Sequence, residues 1–226
     1  MKSAELLGLA LLVLVSACGN LKENSKARKY PSSKIIQSLD SLGYFNLTPN
    51  EELDSLKSDI IKTYESSGLF EGKRFYDSIR YVDFRFYWLD SEKLFEGGGL
   101  ISYLHEIKPT FDKLNLNLDF KSDSTQMNKS KFVHTIVINE CTYYAFNEEI
   151  NYSSWGIATY NFAKIINDVF EKQNSNERVY LISGGNDGRM VILTDEIYSY
   201  LKSVYQIDDE FPLKIDEWAD KNQVPI

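Results

Sequence analysis

Cysteine and histidine are scarce in this chain of 226 residues, which contains two of each. The cysteines are Cys18 and Cys141, and the histidines are His105 and His134. A transition-metal site needs several nitrogen or sulfur ligands around one point, and these four residues show no metal-binding spacing. We therefore predict no metal, no cofactor and no disulfide framework.

The common nucleophile and phosphate-binding motifs are also missing. The sequence contains no G-x-S-x-G, and the Gly97-Gly98-Gly99 run does not complete G-x-G-x-x-G because Ser102 occupies the last position. Cys141 and His134 could form a thiol–base pair, but catalysis needs a close base and a lowered thiol pKa. We interpret Cys141 as an inert thiol and predict no catalytic residue.

Acidic residues outnumber positively charged residues in the chain as a whole but not near the N-terminus. The net charge is −8, yet residues 20–34 carry +4, which leaves −12 on residues 35–226. Nucleic-acid binding requires clustered lysine and arginine to neutralise phosphates, so we predict no nucleic-acid partner. The basic stretch is either a solvated tether or a segment that favours anionic lipid headgroups.

The N-terminus contains an apolar run over residues 6–15, which is too short to span a bilayer. It ends in Leu14-Val15-Ser16-Ala17-Cys18, where small residues precede a cysteine. This pattern resembles the lipobox of bacterial lipoproteins, over residues 14–18 alone. The resemblance implies a signal peptide over residues 1–17, acyl chains such as palmitate on Cys18, and attachment to a membrane of the cell envelope or periplasm. Gly19 in place of aspartate favours the outer over the inner membrane.

The remaining chain divides into a flexible linker over residues 18–33 and one domain over residues 34–226. Helical spacing of apolar residues alternates with short strand patterns, most of them in adjacent hairpins. Local signals predict helix caps at Asp90 and Thr194, a tight turn at Asn139-Glu140, strands over Tyr81–Leu89 and Leu116–Phe120, and a polar loop over residues 121–130. Arg178–Ile182 and Met190–Leu193 are apolar on both faces, which places them centrally in a sheet. We predict an α+β fold in which a mostly antiparallel sheet packs with helices on one face.

The loop between those two strands is one candidate ligand or anion site. Glycines allow successive amides to converge on an anion, and an arginine at the end adds a positive charge. Glycine, asparagine and aspartate are also the usual residues of a hairpin turn, and we favour that interpretation. The candidate residues are Gly184, Gly185, Asn186, Asp187, Gly188 and Arg189.

Aromatic residues make up 14% of the chain, and one group of them is a second candidate site. Exposed together, they would form a face that stacks on sugar rings or packs against a protein partner, although such residues often fill a core. This possible aromatic binding face consists of Tyr143, Tyr144, Tyr152 and Trp155.

The anchor, the acidic body and the missing motifs together favour a non-enzymatic binding or interaction domain held at the envelope, with a protein or glycan partner. The alternative is a cell-envelope hydrolase that uses carboxylates, possibly on glycans. The carboxylates available for it are the adjacent pair Glu148-Glu149 and the run 208–210, and such clusters are usually solvated surface.

Overall fold

The computed structural model describes residues 30–66, 81–96, 98–205 and 210–226. These residues form seven α-helices and seven strands, in agreement with the predicted α+β class. The helices are α1 (Ser32–Ser41), α2 (Leu53–Ser66), α3 (Ser91–Phe95), α4 (Gly99–Lys113), α5 (Ser154–Lys172), α6 (Asp195–Val204) and α7 (Ile215–Lys221). The strands are β1 (Phe86–Trp88), β2 (Ser124–Asn128), β3 (Lys131–Ile138), β4 (Cys141–Glu149), β5 (Glu177–Ile182), β6 (Arg189–Thr194) and β7 (Leu213–Lys214).

The strands form two antiparallel sheets. One has the order β1-β6-β5-β7, and the other has the order β2-β3-β4. The predicted central position of the strand pair around residues 178–193 is therefore confirmed. Both strands are almost entirely buried because they have neighbours on each side and helices above and below.

Side chains that alternate along β5 and β6 pack into two separate cores. Val179 and Leu181 point into a core with α3, α4, α5 and α7, which we call the α5 side. Tyr180 and Ile182 point into a core with α1, α2 and α6, which we call the α6 side. Helices thus cover both faces of the four-stranded sheet, and the prediction of one covered face was wrong there because continuous apolar strands need burial on both sides.

Two of the predicted helix starts are confirmed at the level of single hydrogen bonds. The side chain of Asp90 accepts from the Lys93 amide at 3.0 Å at the start of α3. The hydroxyl of Thr194 accepts from the Ile197 amide at 3.3 Å at the start of α6. In contrast, α1 begins at Ser32 after Pro31, so the helix takes up the last residues of the predicted linker.

The strands of the smaller sheet differ from prediction at their outer edge. Residues 121–130 were predicted as a polar loop, but Ser124–Asn128 pairs with β3 and is exposed along its whole length. Leu116–Phe120 was predicted as a strand, but it makes a single bridge between Phe120 and Ile138. An edge strand with no buried face carries no apolar alternation, so its sequence gives no strand signal.

The turn between β3 and β4 provides a first test of the backbone. Asn139 and Glu140 both have positive φ, at 48° and 66°, as the two-residue hairpin turn requires. We expect Glu140→Gly to raise the free energy of unfolding by roughly 0.5–1 kcal/mol, because glycine adopts this conformation without steric cost. Urea denaturation measures the change. Glu140→Ala removes the same charge without freeing φ, so equal stabilisation by both variants would contradict the explanation.

Candidate functional site

An open groove of about 970 Å³ lies between the end of β4, the first half of α5 and the C-terminus. A smaller concavity of about 260 Å³ lies near Arg178 and Asp216. The groove mixes aromatic, aliphatic, amide and charged groups. Its lining consists of Lys131, Tyr144, Asn147, Glu148, Glu149, Asn151, Ile157, Tyr160, Asn161, Lys164, Pro225 and Ile226.

A β-bulge in β4 determines which side chains reach the groove. Tyr144 pairs with Thr135 and Asn147 with Val133, while the register shifts at Ala145 between them. Residues three apart on a regular strand point to opposite faces, but the extra residue of the bulge puts Tyr144 and Asn147 on the same face. The Asn161 amide donates to the Ala145 carbonyl at 3.1 Å and so ties the bulge to α5.

The opposite wall is a stripe along α5. Ile157, Tyr160, Asn161 and Lys164 are spaced so that they share one side of the helix. The Tyr160 hydroxyl donates to Asp216 at 2.9 Å. Burial is the main cause that raises the pKa of Tyr160, and the nearby Asp216 carboxylate raises this pKa further. The Lys164 ammonium lies 5.6 Å from the centre of the Tyr160 ring. The hydrogen bond to Asp216 therefore fixes the position of Tyr160 in this wall.

The end of the chain closes one side of the groove. The Val224 amide donates to the Ala219 carbonyl at 2.9 Å, and its side chain lies directly against Gly156. A Cβ at Gly156 would approach the nearest methyl of Val224 to 2.6 Å, so glycine is needed for this contact. The contact brings Pro225 and Ile226 to the groove, where Ile226 is 69% exposed.

The side-chain charges in the groove balance. Lys131 lies 3.9 Å from Glu148, and the Ser130 hydroxyl donates to Glu149 at 2.5 Å. The side chains of two lysines and two glutamates line the groove, so its side-chain charges cancel although the body as a whole is acidic. Glu148 and Glu149 thus both line the groove, and each already contacts a neighbouring side chain.

The structure separates the four residues of the predicted aromatic face. Tyr144 lines the groove and is 58% exposed, whereas Tyr152 and Trp155 are exposed outside its lining. Tyr143 points the other way and donates to Asp168 on α5 at 2.5 Å. Partial burial and this carboxylate raise the pKa of Tyr143 to about 12. Tyr143 and Tyr144 therefore do not share one face, because neighbouring strand residues point to opposite sides.

Polar groups of the loop between β5 and β6 already contact other parts of the protein. Arg189 forms an ion pair with Glu210, and the Asn186 amide donates to Glu92 at 3.4 Å. The Trp218 indole donates to the Ser183 carbonyl, and the Gly188 carbonyl accepts from the Leu89 amide at 2.8 Å. Carboxylates next to the loop repel an anion, which favours the hairpin-turn interpretation.

The thiol and the imidazole are not brought together. Cys141 pairs with Ile138, four residues along β3 from His134, which corresponds to about 13 Å. His134 is buried and contacts Asp123 at 2.6 Å, while the Cys141 sulfur lies 3.7 Å from the Lys172 ammonium. Cys18, Asp208 and Asp209 lie outside the described residues.

Sequence reasoning missed most of the groove. The stripe on α5 was readable from its helical spacing, but nothing marked Lys131 or the last two residues as its neighbours. It also missed a buried polar network in which Arg85 contacts Glu177 at 2.9 Å and the Tyr44 hydroxyl donates to Asp83 at 2.6 Å. The sequence signal for this network was the presence of Asp83 and Arg85 within the aromatic run 81–89.

Within the part of the chain that the structure describes, no group of three or more His, Cys, Asp or Glu side chains is placed to hold a metal ion. The same residues contain no helix that is both long and apolar enough to cross a bilayer.

Comparison with known proteins adds no relationship. A scan against protein-family models finds no match, and neither the curated proteins nor the solved structures include a significantly similar chain.

Proposed function

We propose that this protein is a lipid-anchored, non-enzymatic binding domain of the bacterial cell envelope. The observation that carries the binding role is the open groove between β4, α5 and the C-terminus. Its walls are held by a bulge, a helix stripe and a packed chain end, so the surface is preorganised for a ligand. An exposed aromatic ring at its edge is typical of recognition surfaces.

The anchoring part of the proposal is supported by the lipobox at residues 14–18. Two or more acyl chains give stable attachment, whereas one gives marginal binding. The outer membrane is the expected location because Gly19 stands where an inner-membrane retention signal would place aspartate.

The anchor is tested by Cys18→Ala. When the full chain is expressed in a bacterium fed an alkyne fatty acid, we expect labelled wild-type protein in the membrane fraction and complete loss of label in the variant. Substitution of Cys141 by alanine serves as the matched control and should retain the label. Unchanged labelling of the Cys18→Ala protein would exclude acylation at this site.

The binding role is tested by photo-crosslinking in intact cells. A photoreactive phenylalanine analogue at position 144 lies in the groove, and the same analogue at position 171 lies at the exposed far end of α5. We expect adducts with envelope components from position 144 that are absent from position 171. The same weak background at both positions would argue against a ligand in the groove.

A further inference from the structure

We propose that the ligand of this groove is an uncharged glycan chain. The inference rests on the proposed binding function and names the chemical class of what is bound. Three properties of the groove support this inference: balanced side-chain charge, a set of side-chain amides, and an exposed ring in an open channel.

The charge balance argues against an ionic ligand. Lys131 and Lys164 on the two walls are matched by Glu148 and Glu149. A site for an anion or a cation concentrates side chains of the opposite charge, and the side chains of this groove have no excess of either sign. An uncharged ligand is attracted by local hydrogen bonds without such an excess.

The polar groups fit hydroxyl and acetamido substituents. Asn147, Asn151 and Asn161 line the groove together with the two glutamates. An amide both donates and accepts, as a sugar hydroxyl does, and a carboxylate adds acceptors. The bonds from Asn161 to the Ala145 carbonyl at 3.1 Å and from Asn151 to the Glu149 carbonyl at 3.2 Å fix the orientation of two of these amides before any ligand arrives.

The shape of the groove favours a chain over a small enclosed molecule. Pockets for small apolar ligands are enclosed and mostly hydrophobic, whereas this groove is open to solvent and lined by amides and charges as well as by aromatic and aliphatic groups. The ring of Tyr144 is 58% exposed at its edge. Its face can pack against the C–H face of a pyranose, while the amides bind the hydroxyls at the rim of that sugar.

The test measures binding of neutral oligosaccharides to the full-length, lipidated protein in detergent micelles. Tetramers of N-acetylglucosamine and of glucose are the probes, and calorimetry is the readout. We expect saturable binding of at least one tetramer, and an affinity that changes less than twofold when the salt concentration is raised tenfold, since no net charge is involved. Loss of most of the affinity in high salt would overturn the proposal.

Variants at the groove identify the site. Tyr144→Ala should weaken binding about tenfold and Tyr144→Phe should retain it, because the ring rather than the hydroxyl carries the contact. Asn147→Ala should also weaken binding. The matched control is Tyr152→Ala, which removes a 99% exposed tyrosine outside the groove and should leave affinity unchanged.

The failure of this inference is distinguishable from failure of the binding function. Protein adducts from position 144 in cells, with no binding of either tetramer, would overturn the glycan class and leave the binding role intact. Equal affinity of wild-type protein and Tyr144→Ala would also overturn it, because the sugar would then bind elsewhere. Circular dichroism of each variant verifies that the fold is retained.

Discussion

Replacing Arg85 by methionine is expected to lower the free energy of unfolding by about 3–5 kcal/mol, because it leaves a buried charge without its partner. The Arg85 side chain is 3% exposed and that of Glu177 is 7% exposed, and their charged atoms are 2.9 Å apart. Methionine fills a similar volume but offers no donor, so Glu177 and several backbone carbonyls lose hydrogen bonds at once.

Those carbonyls show how widely the loss spreads. The Arg85 guanidinium donates to Tyr44 at 2.7 Å, to Ile192 at 3.0 Å and to Gly43 at 3.1 Å. It therefore joins the loop after α1 to β6 of the four-stranded sheet, on the α6 side. Chemical denaturation at pH 7 measures the effect, with Lys108→Met as the control. That variant breaks an exposed ion pair with Asp112 and should cost less than about 0.5 kcal/mol.

The sign of the pH dependence gives a second readout for the same variant. Burial raises the pKa of Glu177 above its ordinary value of 4.5, and Arg85 opposes that rise. Without Arg85 the folded-state pKa moves further up, so protonation favours the folded variant below pH 4.5, and this contribution is lost as pH rises through the folded-state pKa. The stability deficit of Arg85→Met should therefore be largest near pH 7 and shrink towards pH 4.5. A deficit that is constant over this range would contradict the role assigned to the ion pair.

Gly188→Ala is expected to destabilise the protein by about 2–3 kcal/mol, because the added methyl group has no space. A Cβ at this position would overlap the backbone carbonyl oxygen of Leu89, which cannot move aside as a flexible side chain can. The same backbone segment is held by the hydrogen bond from the Leu89 amide to the Gly188 carbonyl at 2.8 Å. Thermal or urea denaturation measures the loss.

Gly185→Ala is the matched control in the same loop. Gly185 has φ of 67° and nothing within 4 Å of its Cβ position, so alanine there meets backbone strain of roughly 1 kcal/mol but no clash. We expect Gly188→Ala to be clearly the more damaging of the two. A larger effect at Gly185 would mean that turn conformation, not close approach to Leu89, is what the loop requires.

Local signals in the sequence predicted the parts of the fold that depend on a few neighbouring residues. Asp90 and Thr194 were identified as helix caps, and Asn139-Glu140 as a tight turn, since each acts through its own backbone. The strands around residues 178–193 are apolar on both faces, and this pattern predicted their central position in the sheet, where both faces are buried.

Features that depend on distant parts of the chain could not be predicted. Phe86–Trp88 is the portion of the run 81–89 that pairs as a strand, because Asp83 and Arg85 turn inward to partners 39 and 92 residues away. Tyr144 was a correct candidate for the groove, yet its neighbours there are set by a bulge and by the packing of Val224 on Gly156. Neither the bulge nor this packing contact produces a recognisable pattern within a single segment of the sequence.

The start of the described chain and the groove lie on opposite faces of the four-stranded sheet. Tyr30, where the described chain begins, packs on the α6 side, and its amide donates to the Tyr64 hydroxyl at 3.4 Å. Ile157 and Tyr160 of the groove belong to the α5 side, so the four-stranded sheet stands between the two. The twelve residues 18–29 can span at most about 40 Å when fully extended. Under the proposed anchorage at Cys18, the chain therefore enters the domain on the face of the four-stranded sheet opposite the groove.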